Sequence, residues 1–175
     1  MPAFRGQGAI SGNVLQMVSL LEDPTSTQRW ACGVDETKVL KRKDARTDYI
    51  YVYSDLPWPV RDRDMVVRRE MIVVEPGQKF RMELHCEKGM APERDGVVRV
   101  TTCESIFAME KQDLMHTRFD YMMMLDPAGA LPKWAGAWVS KHAPFRTLEA
   151  IERETNATTE TKHYAAAVKR WSAAM

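Results

Sequence analysis

The sequence has little cysteine. Three residues, Cys32, Cys86 and Cys103, occur in 175, with no C-x-x-C pair among them. An odd, sparse set argues against a disulfide framework and is expected in a reducing, cytoplasmic setting. No apolar run is long enough to span a bilayer, and the N-terminus shows no signal-peptide core. The four histidines are scattered without H-x-x-x-H or H-E-x-x-H spacing, so no metal site is read. There is no G-x-S-x-G elbow, glycine-rich phosphate loop or dinucleotide fingerprint, and no cofactor is called for. Neither sign of charge dominates. The 25 Lys and Arg against 24 Asp and Glu leave a net charge of +1. With no Lys/Arg run, broad attraction to nucleic acid is excluded.

What remains reads as an ordinary globular domain large enough for one core. Twelve methionines are many for this length. Met fills irregular cores and also lines cavities that accept varied apolar shapes. Residues 13–23 space Val14, Met17, Val18 and Leu21 at helical intervals, with Asn13 as cap and Pro24 as stop. A second short helix is read at Thr27–Trp30. The period is two over 3–10, 36–42, 47–54, 64–74, 79–86, 97–109 and 114–125, with turn signals between. Short connections predict an antiparallel, curved sheet of about six or seven strands.

From Leu131, the spacing of Trp134, Trp138, Phe145, Leu148 and Ile151 predicts a long amphipathic helix to about residue 154. Pro144 is expected to kink or divide it. The polar, β-branched stretch 155–161 should end it. Residues 163–175 form a further short helix, marginal unless docked. The fold class is α+β, with a domain over 1–154 and a C-terminal helical extension over 155–175.

Alternation in 64–74 places Arg69 on one face with Met65, Val67, Met71 and Val73. If that face is inward, the guanidinium needs a carboxylate, several acceptors or a ligand anion. Glu83 and Glu104 on neighbouring strands are the candidate partners, in a strand-holding role or in a ligand site. Tyr49, Tyr51 and Tyr53 form one stripe of their strand, and Ile50 and Val52 compete with them for the inside. Trp134 and Trp138 share a helix face, as core or as the ceiling of a cavity. Asp62 and Asp64, on either side of Arg63, are read as making local salt bridges and turn hydrogen bonds.

Two stretches carry a resemblance. Tyr51 to Arg69, with Pro57-Trp58-Pro59-Val60 and Asp62-Arg63-Asp64, resembles the START lipid-transfer family, and so does LDPAGALPKWAGAWV at 125–139. FRGQGAI at 4–10 is similar to the strand that opens that family's core. The resemblance covers roughly residues 4–154. It implies a helix-grip fold, a curved antiparallel sheet wrapped around a long C-terminal helix over a tunnel for a lipid or small hydrophobic molecule. It also implies that Arg69 matches a cavity arginine that pairs with an acid in some members. No such acid is read in strand 47–54, so Glu83, Glu104 or a tyrosine hydroxyl is expected to serve. The family's N-terminal helical material is missing, which marks a shortened bacterial-type member or a late start.

The expected site therefore comprises Arg69, Tyr49, Tyr51, Met71, Glu83, Glu104, Trp134 and Trp138. The expected function is non-catalytic binding and transfer of a hydrophobic ligand. The alternatives are a cyclase- or hydrolase-like enzyme using the same cavity, and a packed interaction domain with no cavity. Expected partners are the ligand, a membrane surface touched transiently, and a second copy docked through the C-terminal extension.

Overall fold

Period-two segments can bury one face only by pairing, and here they pair into one curved sheet. The computed structural model describes residues 3–130, 132–158 and 161–172, without the side chains of 133–140 and 172. The strands are β1 (Ala3–Ser11), β2 (Glu36–Arg42), β3 (Thr47–Ser54), β4 (Arg63–Glu75), β5 (Lys79–Cys86), β6 (Val98–Val100), β7 (Cys103–Lys111) and β8 (His116–Leu125). Their order is β1-β8-β7-β5-β4-β3-β2, with β6 beside β4. The main path is antiparallel throughout, and β6 pairs with β4 in parallel.

The expected strand at 97–109 is thus two strands. Val98–Val100 pairs with Arg63–Met65 at the start of β4, and the chain then crosses to begin β7 beside β5. No glycine or proline marks that break, so alternation ran straight across it. Cys86 and Cys103 stand opposite each other at the ends of β5 and β7 and form a disulfide, with Cα atoms 5.0 Å apart. This corrects the expectation that cysteine plays no cross-linking part. Cys32 remains a free thiol.

Helix α1 (Val14–Glu22) opens on a capping box, Asn13 with Gln16, which satisfies two backbone N–H groups at once. Helix α2 (Thr27–Trp30) follows a single 3₁₀ turn at Pro24–Ser26. Trp30 is buried, donates to Ser26 and meets Phe107 edge-on.

Helix α3 (Lys133–Ala157) is continuous through Pro144 and through Thr155. Proline removes one ladder bond, and the polar stretch lowers propensity by tenths of a kcal/mol per residue at most. Packing outweighs both. Ala143, Thr147, Ile151 and Thr155, each four residues on from the last, are buried against β1 and the short helices. Gly6 in β1 leaves room for Tyr121 and Leu148, which a Cβ there would strike. Phe145, assigned to the inner face from its spacing, is 64% exposed on the opposite side.

Helix α4 (Lys162–Ser172) lies along α1 of its own chain. It is too short to hold helical form alone in water, so its order rests on this docking. Trp171 is 1% exposed, donates to Glu22 and meets Phe80 edge-on. The Arg46 guanidinium lies 5.6 Å over its ring, and Arg170 pairs with Glu22. The extension is therefore seated intramolecularly, where a second copy had been expected. It also explains why α1 is buried nearly all round, including Ser19 and Leu20, which helical spacing alone leaves outside.

Trp171→Ala removes a fully enclosed ring. Equilibrium urea unfolding of the variant should show a loss of about 3–5 kcal/mol. A loss near zero would mean that α4 is not seated as described.

Candidate functional site

Between the large core under α1 and α3 and a small cluster of Ile50, Val52 and Val67 lies an apolar cavity of about 110 Å³. Five strands line it, each with alternate residues. Ile50 and Val52 come from β3, and Met65, Val67 and Arg69 from β4. β5 adds Met82 and Leu84, β7 adds Cys103, Ser105 and Phe107, and β8 adds Met123 and Leu125. The α1–α2 segment closes the side facing the strands, through Leu21, Trp30 and Val34 among others. The pleat thus sets one continuous greasy wall. Its polar members are Arg69, Ser105 and Thr27.

Arg69 is 7% exposed and held at three points. Its Nε and Nη2 donate to the two carboxylate oxygens of Asp48 at 2.9 and 2.6 Å. Its Nη1 donates to the Leu21 carbonyl at 2.9 Å. Register puts Asp48 directly across from Arg69 on β3. The fork geometry is bidentate, the strongest form of this pair. Leu21 is in the last turn of α1, whose carbonyls lack helical partners and favour a cation. A buried carboxylate, a buried guanidinium and a helix terminus are satisfied together.

Asp48 overturns the reading that strand 47–54 holds no partner acid. That strand was read by its tyrosines, whereas Asp48 shares the inward phase of Ile50 and Val52. Glu83 and Glu104 lie on the opposite parity from the lining residues of β5 and β7, on the other sheet face. There Glu83 pairs with Arg81 at 2.8 Å. Neither glutamate lines the cavity. Met71 is buried but lines a separate cleft beneath α4. The side chains of Trp134 and Trp138 lie outside the described residues.

Tyr49 and Tyr51 also face away from the cavity. The Tyr51 hydroxyl donates to Asp64 at 2.9 Å, and Arg99 clamps the same carboxylate at 2.6 and 3.0 Å. Burial pushes the Asp64 carboxyl up, but Arg99 and Tyr51 outweigh it and hold Asp64 below the usual range. Tyr53 donates to Asp62 at 2.7 Å, and this bond pushes its own phenol up to about 12. Arg94 reaches the Tyr51 hydroxyl and lies 4.8 Å over the Tyr53 ring. The stripe therefore fastens β6 and the 87–97 loop to the outside of β3 and β4. Asp62 and Asp64 have the structural role assigned to them, through partners more distant in sequence than a local turn supplies.

Sequence reasoning missed Arg63, which is 5% exposed on the inward parity of β4. Its guanidinium reaches the Arg61 carbonyl and lies 3.5 Å from the carbonyls of Pro127, Ala128 and Ala130. It secures the turn that launches α3. A basic residue in phase with Met65, Val67 and Arg69 was the available signal.

Breaking one half of the buried pair should cost more than a surface ion pair. Arg69→Ala strands the Asp48 charge and should lower unfolding free energy by about 3–5 kcal/mol. The double variant Arg69→Leu with Asp48→Leu removes both charges and should recover most of that loss in the same urea titration. A double variant no better than the single one would refute the charge-stranding explanation.

With this geometry in view, the comparisons are specific about the family. The START domain model matches residues 1–155. An uncharacterized protein of Pseudomonas aeruginosa is 28% identical over 149 residues, covering 85% of this chain and 73% of that one. Mouse START domain-containing protein 10 is 23% identical over 137 residues, 78% of this chain but only 46% of the longer relative. Among solved structures, a STAR-related lipid transfer protein fragment from Xanthomonas axonopodis superposes with a TM-score of 0.77 at 23% identity, covering 88% of this chain and 85% of that one. Human STARD10 gives 0.78 at 18% identity, over 90% of this chain and 64% of that one. The match of the START domain model over nearly the whole chain, on an eight-stranded curved sheet, leads to one statement: this chain belongs to the START domain family.

Proposed function

We propose that the protein binds a lipid or other small hydrophobic molecule in the apolar cavity and carries it between membranes. The observation that carries this reading is the cavity itself, a greasy space between sheet and helices bordered by a fixed guanidinium. Family membership supports it, as does the lipid-transfer title of the Xanthomonas structure.

Size sharpens the proposal. An engineered apolar cavity of about 150 Å³ takes benzene, and sites for drug-sized ligands run to roughly 300–1,000 Å³. At about 110 Å³ the space described here fits a closed conformer that must widen for a full acyl chain. Met65, Met82 and Met123 on the wall are unbranched and adaptable, which suits such widening. Each ligand CH₂ withdrawn from water contributes about 0.8 kcal/mol. Chain burial therefore supplies most of the affinity, and the Arg69 side of the cavity is the one toward which a polar end points.

A membrane contact fits the pole where the 55–62, 87–97 and 126–130 loops meet, joined by Arg61 to Gly96 and by Arg63 to the 127–130 carbonyls. Trp58 stands there 92% exposed between two prolines. Indole rings favour the membrane–water boundary.

Filling the cavity tests the central reading. Leu84→Trp should cost about 1–3 kcal/mol of stability by overpacking and abolish binding of a fluorescent fatty acid. Trp58→Ser should leave equilibrium binding intact and slow transfer between vesicles. Undiminished binding by a folded Leu84→Trp protein would place the ligand elsewhere.

A further inference from the structure

A second space, about 140 Å³, opens between α4, the end of α1 and the β2–β3 hairpin. It lies partly beyond the residues that match the START model, because α4 follows residue 155. Where the first cavity is greasy, this one is lined by charge. Its floor includes Arg69 and Asp48, and Arg69 is the one described residue that borders both spaces.

The ion pairs in this cleft do not balance. Arg69 is matched by Asp48 and Arg170 by Glu22. Asp44 accepts backbone N–H groups of Arg46 and Thr47, which fixes the hairpin turn. Arg42 and Arg46 are left with no ion-pair partner among the described residues, and Arg46 stacks on Trp171 instead. His163 borders the same space, with the Asp23 carboxylate 3.8 Å away to answer its charge when protonated. The buried Ser19 hydroxyl also lines the cleft and makes no hydrogen bond. Unmatched guanidinium groups, an idle hydroxyl and a shared wall with an apolar cavity are complementary to one kind of molecule.

We infer that this cleft is a vestibule for the anionic end of an amphiphilic ligand, with its carboxylate or phosphate at Arg42 and Arg46 and its chain passing Arg69 into the apolar cavity. The inference rests on the carrier reading above and adds the class of head group and the side from which it is held. α4 roofs the vestibule, so the extension becomes part of the ligand site. Guanidinium forks suit both oxyanions, and forming charge-assisted bonds there costs the ligand less than burying its charge among Met and Leu.

The test compares two probes on the full chain, a dansyl-labelled undecanoic acid and its methyl ester. The pair Arg42→Gln and Arg46→Gln changes exposed side chains, and circular dichroism melting checks that the fold survives. The variant should bind the acid about tenfold more weakly, the scale of losing a charge-assisted contact, and bind the ester as wild type does. Inorganic phosphate should compete with the acid and leave the ester in place. If the variant binds acid and ester both as wild type does, or loses both alike, the vestibule is refuted while the carrier reading stands. If wild type binds neither probe, both fall. Phosphate binding that leaves the acid undisturbed would make the cleft a free-anion site and overturn the inference.

Discussion

A guanidinium inside a protein must be matched or it unravels its surroundings, and the matching of Arg69 organises this molecule. Asp48 takes two of its N–H groups and the Leu21 carbonyl a third. Those contacts join β3 to β4 and fix the end of α1 over the sheet. The α1–α2 segment then has one place to lie, and the apolar cavity is the space left beneath it. Replacing the pair by packed hydrophobic residues would satisfy stability equally well. The charged pair stands at the junction of a greasy space and a polar one.

The same junction gives α4 its meaning. Glu22 follows Leu21 in the chain and accepts both the Trp171 indole and Arg170. Burial pushes its carboxyl up, and those two donors oppose that rise. Two successive residues of α1 thus hold the interior arginine and the exterior helix. A disturbance of α4 has a short path to the cavity wall through a rigid turn of helix. On the other side of the sheet, Tyr51, Tyr53, Asp62 and Asp64 hold β6 and its loop by contacts that never touch the cavity. Holding those loops and lining the apolar cavity fall to opposite faces of the same strands.

Much of the sheet was legible because alternation is local. The expected bounds of β2, β3 and β5 match the structure, those of β1, β4 and β8 differ by a residue or two, and the span 97–109 divides into β6 and β7. Phase was harder. The tyrosines of β3 attract attention as ligand contacts, yet Ile50 and Val52 win the interior and take Asp48 with them. Once that phase is chosen, Glu83 and Glu104 fall outside, since their strands bury Met82, Leu84, Ser105 and Phe107. Other features depend on partners far along the chain. The disulfide needs the β5–β7 register, which a spacing of 17 residues does not reveal. The continuity of α3 through Pro144 comes from a buried stripe against β1. The docking of α4 rests on Trp171 meeting Phe80 and Glu22, and a short tail read alone gives no hint of either.

The account's central claim is that the space beside Arg69 accepts a guest. Native mass spectrometry of the protein, purified without detergent and then incubated with a total lipid extract, measures this directly. The account predicts a discrete mass increment, one guest per chain, that disappears on solvent extraction. A spectrum showing only the bare chain before and after incubation would contradict it.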